Sequence, residues 1–487
     1  MIWPLRMTGK DNGLNAGASP EGHDPRLVVA LTISVAIVLG VLISLLGISS
    51  LTDLIIALCS IVALVGALWV FYSGVRGQSW AISLYLFILA FIIEATFRRR
   101  GFTESGLDAQ TLFKLLVLCG AFMIGVLNFN DLKRSVQSSI GLRWLLLFAL
   151  WTVLTTTYSI TPSYTFAAGF AFIALICFIS MTVQKNAVIK MTMPVIYACG
   201  LLTLSAVILY FTMPSAVVAQ TEGGRIQRLA GLTGSPNNLG RIASIGLLFI
   251  YVGIQSKLIK TWRIDIVITG ISALACIGLS WSRTSMIALT VSIGLIVMRK
   301  RVKLSLWLVT LLSGALLILV VTDFNWDNLV RLVSRRGSLQ EIMTLTGRTA
   351  IWDFIWREFL NSPILGYGYG STKLLMPMGF HTSMGWTSTS AHNMLLQTLV
   401  TTGLIGAVLV TVVLLVQARY FVKRPNDIAD ALFIYVLVSG IFEPGAVGLS
   451  PNLLTIIWII SLAMPREANG SGLSEMGRMP EGRVLVA

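Results

Sequence analysis

The chain is built from a succession of apolar stretches, each long enough to cross roughly 30 Å of hydrocarbon as a helix of about 20 residues. Fourteen can be read, at 27–48, 51–72, 78–97, 108–127, 141–158, 162–183, 188–213, 236–256, 263–281, 284–299, 303–323, 389–418, 428–443 and 450–465. The fifth, tenth and thirteenth are short or interrupted, which sets the range at 12–14. The stretches are continuously apolar rather than alternating, so helices are expected and not barrel strands, because a helix satisfies its own backbone groups inside lipid. Charged residues make up only 12% of the chain against 55% hydrophobic, whereas about a quarter of a soluble domain is charged. The expected fold class is an all-α polytopic membrane protein of about 14 transmembrane helices, with membrane lipid as its surroundings and no nucleic-acid partner.

Residues 1–26 are too polar for a signal peptide and are expected as a cytoplasmic tail ahead of a retained first helix. The polytopic domain is expected at 27–466, followed by a Gly/Ser/Glu-rich cytoplasmic tail, 467–487, with the composition of a disordered segment. Cys59, Cys119, Cys177, Cys199 and Cys276 all fall inside expected spans without metal-like spacing, and read as small core residues. No internal sequence repeat is visible.

With the N-terminus inside, the short inner loops carry Arg76, Lys133, Arg134, Arg143, Lys185, Lys190, Lys257, Lys260, Arg263, the run Arg299–Lys303, Arg419, Lys423 and Arg424, the bias expected of cytoplasmic loops. Lysine obeys that bias, with only Lys114 and Lys373 of eleven outside. Arginine does not: Arg98, Arg99, Arg100, Arg225, Arg228, Arg241, Arg283, Arg331, Arg335, Arg336, Arg348 and Arg357 all fall on the outer side. An excess that selects arginine over lysine points to fixed forks for phosphate oxygens, since guanidinium binds them bidentately. The alternative is that single arginines reach lipid headgroups or pair with Glu94, Glu104, Asp108, Glu222 or Glu341.

Two outer, periplasmic loops are long. The first, 214–235, runs into PNNLGR and is bracketed by Arg225, Arg228 and Arg241. Its glycines beside a helix N-terminus suit an anion or a plain turn. The second, 324–388, exceeds a simple connection. Within it Ile351, Phe354, Ile355 and Phe359 recur at helical spacing, widened by Trp352 and Trp356 and ended by Pro363, which predicts an amphipathic helix on the membrane surface or capping the bundle. Arg348 begins that helix, where the helix dipole also favours an anion.

GRTAIW (347–352), SPILGYGYGS (362–371) and AHNMLLQTLVTTGLIGAVL (391–409), preceded by RLAGLTGSPNNLGR (228–241) and LSWSRTS (279–285), together resemble the signature of the O-antigen ligase and polymerase superfamily of bacterial membrane enzymes. The resemblance covers roughly 225–410. It implies metal-independent, inverting glycosyl transfer without a cofactor, at the periplasmic face of the bacterial inner membrane. The implied donor is an undecaprenyl-diphosphate-linked glycan. By motif, Arg283 and Arg348 carry over as diphosphate ligands, supplying charge where it develops on the leaving group, and Arg228 follows with Arg225 and Arg241 beside it. His392 carries over as the base for the incoming hydroxyl, a task suited to a neutral imidazole, with Asn393 as an orienting neighbour. Glu443, in FEPG, reads either as a partner of an active-site arginine or as a helix-end carboxylate at the interface.

No metal site is expected, since His381 and His392 are eleven apart without a carboxylate cluster; His23 and His381 read as surface residues. The span count leans toward a repeat-unit polymerase for O-antigen or exopolysaccharide. A ligase passing glycan to lipid A-core remains the alternative, and a chain-length regulator or flippase is the implied partner. A lipid-linked oligosaccharide flippase is the alternative of another class, although transporters gather ionisable residues near the midplane rather than at one rim.

Overall fold

The computed structural model describes residues 65–97, 108–221, 226–260, 262–300, 348–381 and 387–466. The expected spans 27–48 and 303–323, most of 51–72, both tails, His23, Cys59, Arg98, Arg99, Arg100, Arg225, Arg331, Arg335 and Arg336 lie outside the described residues. The chain divides into Met1–Trp69 and Val70–Ala487, and the helices from Ser79 onward belong to the second unit.

Helices form where the apolar stretches run: α1 (Ser79–Glu94), α2 (Ala109–Leu127), α3 (Phe129–Ser138), α4 (Ile140–Leu154), α5 (Pro162–Lys185), α6 (Val188–Thr212), α7 (Pro236–Gln255), α8 (Ile264–Ser280) and α9 (Arg283–Lys300). Beyond them stand α10 (Arg348–Asn361), α11 (Thr372–Gly379), α12 (Met394–Lys423), α13 (Asp427–Phe442) and α14 (Leu453–Ala463). Among the described residues α2, α4 with its 3-10 extension to Thr157, α5, α6, α7 and α12 are long and apolar enough to cross a membrane, while α1, α8 and α14 are shorter apolar helices. The protein is therefore an all-α, multi-pass membrane protein. A departure from helix is a small hairpin, β1 (Val218–Thr221) antiparallel to β2 (Ile226–Leu229), within what reads in the sequence as a loop.

Helix starts follow local chemistry. Proline opens α5 and α7, its fixed φ being pre-set for a first turn. Asn393, Asn426 and Asn452 cap α12, α13 and α14 by accepting backbone N–H groups, satisfying donors that would otherwise be orphaned. The core seams run between α2 and α5, α6 and α8, α7 and α8, α9 and α13, and α4 and α12. At the end of α13 remote from Glu443, buried Asp430 accepts from both Arg299 and Arg466, so the arginines gathered there are tied by a carboxylate in the core.

The amphipathic helix expected in the second long loop is α10. It buries Ile351, Phe354 and Ile355 against Met376, Phe380, Ala391 and Val400, while Trp356 stays exposed. It ends at Asn361, just before the proline, and the chain then enters α12 from the side. Gly403 has φ 65° and ψ −168° in mid-helix, a region essentially reserved for glycine. The break frees backbone groups that lipid could not satisfy. The glycine-rich segment takes them up: the Tyr367 and Gly368 N–H groups donate to the Val400 and Thr401 carbonyls at 3.0 and 2.8 Å, and the Leu404 N–H donates to the Pro363 carbonyl at 2.8 Å. Trp151 Nε1 donates to the Thr402 carbonyl at 3.0 Å. On its other side the segment is held by the α4–α5 corner, with the Tyr369 N–H on Thr155 Oγ1 at 3.0 Å and its carbonyl on Thr165 Oγ1 at 2.8 Å.

A side chain at Gly403 would collide with the Ile364 carbonyl as well as strain the backbone. Gly403→Ala is expected to destabilise by about 2 kcal/mol or more, measured as a lower thermal unfolding midpoint in detergent. Gly270→Ala, in α8 with open space around the added carbon, should match or slightly exceed wild type, as a helical glycine costs about 1 kcal/mol relative to alanine.

Candidate functional site

Glu443 leaves the C-terminal end of α13, and three helix N-termini point side chains at its carboxylate. Oε1 accepts from Arg348 Nη2, at the start of α10, at 3.0 Å. It also accepts from Asn237 Nδ2, in the first turn of α7, at 3.2 Å. Oε2 meets His392 Nδ1, just ahead of α12, at 3.2 Å. The side chains of Arg348, Glu443 and His392 are 15%, 14% and 22% exposed, so the bonds form largely out of solvent. Burial raises the Glu443 pKa, but His392, Arg348 and Arg241 outweigh it and hold the carboxyl below the usual glutamate value. An ionised carboxylate only accepts. The bond to His392 must therefore be donated by Nδ1–H, which makes Nε2 the nitrogen that would carry the lone pair in a neutral ring.

The network extends through Asn237, whose Oδ1 accepts from Arg228 Nη2 at 2.8 Å. Arg228 sits on β2, 6% exposed, and its Nε donates to the Ser280 carbonyl at 2.8 Å. That carbonyl is one of the orphaned acceptors at the end of α8, where a cation is favoured by the helix dipole. Trp281 then turns the chain with φ 49°, and Arg283 opens α9, half-buried. Arg228 thus fixes the corner from which Arg283 emerges, so the hairpin, α7, α8, α9, α10, α12 and α13 meet at one end of the bundle.

Two residues singled out in the sequence have contacts of another kind. Arg241 Nη2 donates to both Glu94 oxygens, at 3.2 and 3.0 Å, the pairing with Glu94 being one of the alternatives the sequence allows. Glu94 also accepts the Leu453 N–H at 2.7 Å, tying α1, α7 and α14 together. Asn393 caps α12 through Leu396 and donates to the Ile441 carbonyl at 3.0 Å. It is Glu443, and not Asn393, that touches the imidazole. Arg225 lies outside the described residues, and His381 is exposed.

Sequence reasoning passed over Asn237, the bridge between Arg228 and Glu443, although it stands inside the quoted PNNLGR. A polar amide in the first turn of an otherwise apolar helix is the signal that could have found it.

Residues 267–411 match the O-antigen ligase family. The match covers less than half of the chain and supports the resemblance to the O-antigen ligase and polymerase superfamily. The matched stretch contains Arg283, Arg348, the glycine segment and His392, and ends before Glu443. The chain is also similar to the exopolysaccharide production protein ExoQ of Rhizobium meliloti (strain 1021), with 22% identity over 313 residues that cover 60% of this chain and 68% of that protein. Together the two similarities support lipid-linked glycan transfer of the O-antigen ligase and polymerase type.

Because the folded pKa of Glu443 lies below its ordinary value, its charge adds stability that is complete above about pH 4.3 and is lost as pH falls through the lower folded value. Glu443→Gln leaves Arg348 buried without a counter-charge and should cost about 3 kcal/mol at neutral pH. The difference in thermal midpoint between wild type and variant is expected to close as the pH is lowered below about 4.

Proposed function

We propose that the protein catalyses metal-independent, inverting glycosyl transfer at the periplasmic face of the inner membrane, from an undecaprenyl-diphosphate-linked glycan to a sugar hydroxyl. The observation that carries the proposal is the shared Glu443 carboxylate, which holds His392 by Nδ1 and Arg348 by Nη2 within one cluster. In the proposed step the acceptor oxygen attacks the anomeric carbon, and the carbon–oxygen bond to the diphosphate breaks on the opposite face. The electron pair leaves with the diphosphate, and the hydroxyl proton passes to His392 Nε2. Arg348 and Arg283 stabilise the charge that develops on the leaving group, helped by the N-terminal dipoles of α9 and α10. Arg228 holds the corner ahead of Arg283, and Glu443 orients the imidazole and stabilises it once protonated, as the carboxylate does in serine-hydrolase triads.

The similarity to an exopolysaccharide production protein supports a repeat-unit polymerase, in which the acceptor is the end sugar of a growing chain. The family's description supports a second reading, a ligase that moves glycan to lipid A-core or another acceptor. Purified protein given only the lipid-diphosphate repeat unit should extend it into longer chains if it is a polymerase. A ligase would leave the repeat unit unextended until the separate acceptor is added. Donor translocation without transfer to any acceptor would replace both readings with a flippase.

His392→Ala is expected to lower transfer by roughly a hundredfold or more, measured as product formed from the lipid-linked donor in detergent or nanodiscs. Arg348→Lys, keeping the charge but losing the fork, should retain only part of the activity. Wild-type transfer is expected to persist in excess EDTA, since the arginines supply the positive charge; loss of activity reversed by added divalent ion would sink the metal-independent step.

A further inference from the structure

His392 has φ 49°, a left-handed conformation that is strained for a residue other than glycine and persists only where its surroundings impose it. Side chains impose it here from both directions. Ala391, fully buried, has both backbone groups engaged: its N–H donates to Gln397 Oε1 at 2.9 Å, and its carbonyl accepts from Trp352 Nε1 at 3.0 Å. Gln397 is itself buried and donates to Thr372 Oγ1 at 2.8 Å. After His392, Asn393 is fixed as the cap of α12. The Ala391 carbonyl belongs to the peptide plane whose rotation defines φ of His392, so the indole bond opposes relaxation to negative φ. Trp352 lies one turn beyond Arg348 on α10. One helix therefore brings both the guanidinium that Glu443 accepts and the N–H that fixes the peptide before His392.

We propose that Trp352 and Gln397 are positioning residues for His392, holding the preceding peptide so that Nδ1 stays on Glu443 and Nε2 faces outward with its lone pair. The consequence for turnover rests on the proposed role of His392 as base; the consequence for the ring's tautomer does not.

The chain has three histidines, His23, His381 and His392. In full-length protein labelled with 15N-histidine in nanodiscs, the ring-nitrogen signals of His392 are those lost in His392→Ala. The neutral wild-type ring is expected to carry its proton on Nδ1. Trp352→Phe keeps an aromatic ring but has no N–H to donate, and should shift the ring toward the Nε2–H form. In the transfer assay it should lower kcat roughly tenfold to a hundredfold with donor KM within about twofold. Gln397→Met, which removes the acceptor for the Ala391 N–H, is expected to act in the same direction and serves as the readout if Trp352→Phe does not fold. A wild-type tautomer in the folded variants would overturn the proposal whatever their turnover, because a merely structural role lowers activity without moving the proton. A shifted tautomer in a protein whose wild type transfers no glycan would support the positioning role and remove the proposed reaction.

Discussion

One carboxylate, largely removed from water, organises this end of the molecule. Glu443 is approached by Arg348, His392 and Asn237 from the N-termini of three different helices. Ionising a buried carboxyl is unfavourable unless charge and hydrogen bonds compensate, and here a guanidinium, an imidazole N–H, an amide and three helix dipoles do so together. The compensation binds the elements mutually: α10 cannot leave without exposing an uncompensated charge, and the ring of His392 cannot turn without losing its acceptor.

The rest of the fold serves to bring these termini to one level. Arg228 joins the hairpin to the end of α8 and so sets the origin of α9. The break at Gly403 lets α12 take the glycine-rich segment into its own backbone ladder, so the chain descending from α10 is anchored by main-chain bonds rather than by side chains alone. In hydrocarbon an open helix turn has no water to fall back on, and only close backbone-to-backbone contact satisfies it. That requirement explains why the segment between α10 and α11 is rich in glycine: at Gly366 an added carbon would stand 2.7 Å from the backbone of α12. The motif's role is architectural here, one step removed from the cluster around His392.

Much of this was legible without coordinates. The expected spans that fall on described residues coincide with helices to within a few residues, because apolar length is what membrane insertion reads. The stripe of Ile351, Phe354 and Ile355 marked α10, and Pro363 its end. Arg228, Arg283, Arg348 and His392 stood out through the motifs that resemble the superfamily's, and Glu443 as a carboxylate at a helix end in FEPG. Other features were less legible. Pairing of Arg241 with Glu94 was one option among several, since a charge does not name its partner. The hairpin was hidden by strands of four residues each, too short to show a pattern. Asn237, Trp352 and Gln397 escaped because an amide or an indole in a membrane helix is ordinary until its partner is seen.

By itself the sequence determined that this is a helical membrane protein, that an excess of arginine is expected on one side of it, and which motifs resemble those of a glycan-transferring superfamily. These are properties of composition and order along the chain, fixed by the length of apolar runs and by the rarity of charge between them. Only the tertiary structure decided which carboxylate meets which cation, which nitrogen of His392 faces Glu443, and what holds the residue before it. Those outcomes depend on groups up to 147 positions apart arriving within about 3 Å of one another, and hydrogen bonds weaken so steeply with distance and angle that nothing short of packed helices can select among the pairings the sequence allows.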